Sequence, residues 1–155
     1  VEWIGLGARD SLRIEAGLPL YGQDMDEDTD PVTAGLIWAV PKQLRAGGDF
    51  VGAEALAAIV AAGASHRRVG LRPDGRAPVR GGAMLFDGDG IGATEIGLVT
   101  SGGFGPSCEH PIAIGRILKD AGAPGDHVYA DVRGKKLACT IAKLPFVPRN
   151  YYRGE

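Results

Sequence analysis

Two cysteines, Cys108 and Cys139, are all that the 155 residues provide. That is too few for a disulfide framework, and their spacing matches no metal motif, so a reducing, cytoplasm-like compartment is expected. His66, His110 and His127 are scattered without a carboxylate or cysteine at ligand spacing, and no metal is expected. A surplus of charge is missing too. The formal net charge of -2 excludes the broad basic footprint of a nucleic-acid binder and gives no electrostatic case for an acidic membrane surface. No apolar run approaches the length of a membrane span, and the opening VEWIGLGARD has no basic region followed by an apolar signal segment. Ser11 and Ser101 have no nearby base to activate them. The residue types alone therefore assemble no catalytic constellation.

What is present is the composition of a globular protein, 45% hydrophobic and 23% charged, enough for one good core or for a compact domain plus part of another. Glycine is plentiful at 25 residues, with 10 prolines beside it, and both concentrate after residue 70 between short apolar runs. That punctuation belongs to an antiparallel sheet with many tight turns.

The pattern changes midway. Residues 8–16 place Ala8, Leu12 and Ala16 on one helical face, with Gly17 as C-terminal cap and Pro19 beyond it. Pro31 predicts a short helix capped by Asp30 or Thr29. GLIWAV, residues 35–40, is an apolar run of ambiguous type. Residues 52–63 form the clearest helix, with Leu56, Ile59 and Val60 on one face. From residue 66 the period becomes two. RRVGLRP, VRGGAMLFD, TEIGLVTSG and HPIAIGRIL read as strands, and HVYADVRGKKLACTIAKL as a hairpin about Arg133-Gly134. About six short strands predict a small β-barrel or sandwich. The helices before it cannot enclose a core of their own, so residues 1–62 are expected to pack against the barrel or against a partner segment.

Several chemical-looking stretches have plainer explanations. DGDG at 87–90 lacks the further ligands of a calcium loop and reads as a hairpin turn. The five carboxylates of DMDEDTD, residues 24–30, read as a solvated loop. SGGFGPS at 101–107 could offer amides to a phosphate, but no strand-loop-helix pattern surrounds it, and a turn is expected. Two arginines stand out. Arg9 lies near the start of a helix, where a cation opposes the dipole, and Arg13 puts a second positive charge on the same face. At the other end, PFVPRNYYRGE brings Tyr151 and Tyr152 after two stiffening prolines. These rings could seal the barrel, or a tyrosine and an arginine could converge on a flat, anionic ligand. Composition favours the first.

GLGARDSLRIEAGLPLYGQDMDEDTDPVTAGLIWAV resembles the later half of the aminomethyltransferases, the T-protein of the glycine cleavage system. The resemblance continues in order through RRVGL, EIGLVTSGGFGPS and PIAIG to KLPFVPRNYY, over essentially the whole chain. It implies an α+β to mainly β fold. A C-terminal antiparallel, jelly-roll-like β-barrel over residues 63–155 would follow residues 1–62 as the helical end of a folate-binding α+β domain. The family moves a one-carbon unit from the aminomethyl-lipoyl arm of H-protein to tetrahydrofolate and releases ammonia. The resemblance thus implies tetrahydrofolate as co-substrate, H-protein as partner, and a cytoplasmic setting, or the mitochondrial matrix in a eukaryote.

Two family folate-binding positions fall here: the arginine of GARD, Arg9, and the first tyrosine of NYY, Tyr151. The family's essential aspartate and a folate-binding glutamate lie upstream, so neither Asp10 nor Asp24 takes that role, and the chain alone is expected to be inactive. Gly105 stands where a serine is common, and Arg116 where a tyrosine is usual. Two alternatives are the folate-binding tail of a dimethylglycine or sarcosine dehydrogenase, and a non-catalytic folate-binding or interaction module.

Overall fold

A computed structural model describes residues 2–148, 150, 152 and 154. Six strands close into an antiparallel barrel in the order β1-β4-β3-β2-β5-β6. They are β1 (His66–Pro73), β2 (Met84–Phe86), β3 (Glu95–Gly105), β4 (His110–Leu118), β5 (His127–Val132) and β6 (Lys135–Ala142). The barrel forms because apolar residues alternate along β1, β5 and β6 while β4 is buried on both faces, and neighbouring strands pair antiparallel. Leu71, Leu85, Val99, Ile117, Val128 and Ile141 fill its interior.

β3 departs from expectation. The glycine-rich stretch read as a turn continues the strand to Gly105, paired with β4 through Phe104↔Pro111 and Gly105↔His110. The reversal comes only at Pro106–Glu109, where Glu109 takes φ 49. Gly102 serves close approach rather than turning: a Cβ there would overlap the carbonyl oxygen of Val79. The DGDG stretch lies between β2 and β3, where Asp87 Oδ1 accepts from Thr94 N at 2.7 Å and closes the connection.

The thiols of Cys108 and Cys139 divide as turn and core. Burial pushes Cys139 up to about 12, and burial together with Glu15 raises Cys108. Alkylation of the native protein by iodoacetamide at pH 8 is therefore expected to modify Cys108 slowly and to spare Cys139 until the barrel unfolds. Equal rates by mass spectrometry would contradict this core placement.

Before the barrel come two helices, α1 (Leu6–Glu15) and α2 (Ala53–Ala62). α2 starts after Gly52 at φ 87 and stops at Gly63 at φ 77, as its glycine boundaries require. Leu56 is buried, but Val60 is 40% exposed, so the expected three-residue apolar face is only partly used. The helix expected after Pro31 is absent. Asp30 Oδ1 does accept from Val32 N (2.8 Å) and Thr33 N (2.9 Å), as a cap would. Gly35, at φ 67, then ends the segment after a single turn, and β-branched Val32 and Thr33 add little helical preference. The apolar run that follows holds only a 3-10 turn, Ile37–Ala39.

Candidate functional site

α1 docks on the barrel by one end only. It packs against β3 and β4, and Arg13, Ile14 and Glu15 in its last turn are buried. Ile14 joins Ile112 and Ile114 of β4 in a small cluster outside the barrel, flanked by Cys108 and Phe146. Residues 2–9 are exposed, among them Trp3, Ile4 and Leu6. Arg9 stands on this uncovered part.

The electrostatic oddity of the two arginines resolves in the coordinates. α1 begins at Leu6, so Arg9 is already the fourth helical residue, and Arg13 lies in the last turn, where a cation suits the dipole. Arg13 is also the hub of a buried polar network. Its Nε donates to Asp10 Oδ1 at 2.7 Å, one turn back. Its Nη1 donates to Asp24 Oδ2, and its Nη2 to Gln23 Oε1 and Ser101 Oγ, both at 2.8 Å. Asp24 accepts in addition from Thr100 Oγ1 and from Leu20 N at 2.9 Å. Helix, loop and β3 are thus tied by one guanidinium. Asp24 is only 4% exposed, which corrects the reading of all five loop carboxylates as solvated. Asp26, Glu27 and Asp28 do face solvent.

Glu15 makes a second junction. Its carboxylate accepts from Ser107 N at 2.6 Å and Ser107 Oγ at 2.9 Å, gripping the β3–β4 turn. Its backbone carbonyl accepts from Phe146 N at 2.9 Å and Val147 N at 3.4 Å, the segment that follows β6. Nearby, Arg68 Nη1 of β1 donates to Gly17 O at 2.7 Å. Burial lowers the Arg68 pKa, and the charge of Asp24 opposes that shift. The last turn of α1 therefore meets the barrel, the β3–β4 turn and the tail together.

Beside Asp10 opens a polar hollow of about 460 Å³, walled by Gln23, Arg80, Thr100 and Ser101. A larger cavity, about 910 Å³, opens between Ser65, Asp87, Lys119 and His127, and α1 does not line it. Among the described residues no group of three His, Cys, Asp or Glu side chains gathers to hold a metal. No described helix is long and apolar enough to cross a membrane.

Of the two ligand positions expected, Arg9 is exposed on α1, and Tyr151 lies outside the described residues. Sequence reasoning missed Asp24, Glu15 and Arg80. The one signal for Asp24 was Arg13, a cation in need of a partner.

Residues 66–148 match the family described as the glycine cleavage T-protein C-terminal barrel domain, and residues 1–43 match the GCVT N-terminal domain. The mitochondrial aminomethyltransferase of Solanum tuberosum is 45% identical over 153 residues, 99% of this chain and 37% of that protein. That of Homo sapiens is 43% identical over 152 residues, 98% of this chain and 37% of that protein. The structure of the glycine cleavage system aminomethyltransferase T from Bartonella henselae superposes with a TM-score of 0.91 at 49% identity, covering 99% of this chain and 42% of that one. The chain thus spans less than half the length of these relatives.

Proposed function

The chain belongs to the glycine cleavage T-protein family, and from that premise we propose that it is the C-terminal portion of a tetrahydrofolate-dependent aminomethyltransferase. In this reading residues 63–155 are the barrel domain, and residues 1–62 close a folate-binding α+β domain whose remaining strands lie upstream. H-protein brings the aminomethyl group on its lipoyl sulfur. The one-carbon unit leaves sulfur for the folate amines, ammonia departs, and the dihydrolipoyl arm is released. The aminomethyltransferase names of the relatives favour this over the tail of a flavin-linked dehydrogenase. The setting would be cytoplasmic, or mitochondrial as in the named plant and human relatives.

Within this reading Arg9 and Tyr151 contact the folate. The observation that carries it is the double use of Glu15, whose turn is buried on the barrel and whose carbonyl holds Phe146 and Val147. Arg9 stands six residues back along α1, about 9 Å by helical rise. The four residues from Val147 to Tyr151 can reach about 14 Å when extended. Helix and tail thus start from one anchor, with enough length to share a ligand. A planar five-donor guanidinium suits the carbonyl edges and carboxylates of folate, and a phenol offers both a ring face and a hydroxyl.

In a full-length family enzyme carrying this chain, Arg9→Ala is expected to weaken tetrahydrofolate binding by about 1.5–3 kcal/mol, the value of a charged hydrogen bond. Calorimetric titration measures it, and an unchanged affinity removes Arg9 from the site. Tyr151→Phe is expected to cost less than Tyr151→Ala if the ring carries the contact. These 155 residues assayed alone are expected to give no turnover with H-protein and tetrahydrofolate, because the family's catalytic aspartate is not among them.

A further inference from the structure

Glu15 is placed against two electrostatic preferences. It stands in the last turn of α1, where the helix dipole disfavours an anion. It is also sealed from water, at 1% exposure, with no Lys, Arg or His in ion-pair contact among the described residues. Only neutral donors serve its carboxylate: the amide and hydroxyl of Ser107, and the amide of Cys108 at 3.4 Å. Burying a charge on neutral partners alone is costly, and an apolar residue would close the same contact more cheaply. Three donors converging on one point do, however, require a group that only accepts. The carboxylate is there to grip the β3–β4 turn.

The main chain of the same residue holds something else. Its carbonyl accepts from Phe146 N and Val147 N, where the tail leaves the barrel. That tail is closely seated. A Cβ on Gly17 would come within 2.9 Å of Leu144 Cβ, and one on Gly70 within 2.9 Å of Phe146 Cζ. Arg72 lies over the Phe146 ring, 5.7 Å from its centroid. Phe146 and Cys108 flank the same cluster of Ile14, Ile112 and Ile114. The β3–β4 turn, the end of α1 and the tail are therefore linked in series, with Glu15 as the middle link.

We propose that Glu15, gripped by Ser107, is a positioning residue for ligand binding: it fixes the direction of the tail at Val147, four residues before Tyr151. This rests on the folate reading above, in which Tyr151 contacts the ligand. Neither Glu15 nor Ser107 touches folate. The carboxylate holds the turn, and the carbonyl passes that restraint to the tail. A tail already aimed gives up less freedom when the ligand arrives, and that saving is read as affinity.

The test uses a full-length family enzyme carrying this chain, with tetrahydrofolate titrated calorimetrically and the melting temperature read beside it. Ser107→Ala removes one hydroxyl from the grip and is expected to weaken binding about threefold to tenfold. Ser107→Thr keeps the hydroxyl and is expected to stay within about twofold of wild type. Glu15→Ala should lose at least as much affinity as Ser107→Ala. Val128→Ala, in the barrel core, lowers stability without loosening the tail and is expected to bind like wild type. In a Tyr151→Ala background, Ser107→Ala is expected to add nothing, because the ring it aims is gone. Wild-type affinity in Ser107→Ala, equal weakening by Val128→Ala, or additive losses with Tyr151→Ala would overturn the proposal. If Tyr151→Ala weakens binding and Ser107→Ala does not, the positioning is wrong and the folate site stands. If Tyr151→Ala and Arg9→Ala both bind like wild type, the site itself fails.

Discussion

Asp24→Ala is expected to lower the unfolding free energy by about 3–5 kcal/mol, the usual cost of stranding one member of a buried ion pair. Arg13 is 7% exposed and would keep only Asp10, Gln23 and Ser101. Asp10 is a poor substitute, since its side chain is 42% exposed and its charge is shared with water. Leu20 N would lose its acceptor as well. Urea denaturation followed by circular dichroism measures the loss, and a change below about 1 kcal/mol would show that the network is not a structural tie. The double substitution Arg13→Met with Asp24→Leu is expected to recover much of the stability, because removing both charges avoids the orphan. Recovery of stability without recovery of folate affinity would show that the network also orients the helix bearing Arg9.

Two neighbouring glycines are expected to behave in opposite ways. Gly102→Ala drives a methyl group into the carbonyl of Val79. Relief means lifting the 79–82 segment, which withdraws Val79 from the core and strains the bonds between Gly82, Ala83 and Val99. Exposing one valine alone costs about 1.5–3 kcal/mol, so a total near 3 kcal/mol or more is expected. Gly103→Ala meets nothing closer than Ile14 Cδ1 at 3.8 Å, an ordinary contact. It is expected to be neutral or to stabilise by about 0.5–1 kcal/mol, since alanine loses less backbone entropy than glycine. Thermal melts of the pair check this, and equal losses would mean that the 79–82 segment does not bear on β3.

The barrel was legible because its cause is local. Alternation along β1, β5 and β6 and the Arg133-Gly134 turn state the strands and their hairpin directly. β3 was read too short because glycine signals two things, a turn or a close approach, and only the Val79 segment lying across Gly102 decides between them. The charges were misread for a related reason. Arg13 and Asp24 stand 11 positions apart, and neither helical spacing nor loop composition announces that they meet. The helix after Pro31 had a proper beginning and no length, because Gly35 stops it. The ligand positions were legible only through family resemblance; by composition Arg9 and Tyr151 were an ordinary cation and a ring.

A cylinder of hydrogen-bonded strands has no free rim on which a foreign strand can add. Self-association of these residues is therefore expected to run through exposed apolar side chains, among them the flank bearing Trp3, Ile4 and Leu6, with Trp38, Val51 and Ile91 exposed elsewhere. The clumps it gives should be amorphous, dissolving when those side chains are masked, rather than fibrils built by templated sheet growth.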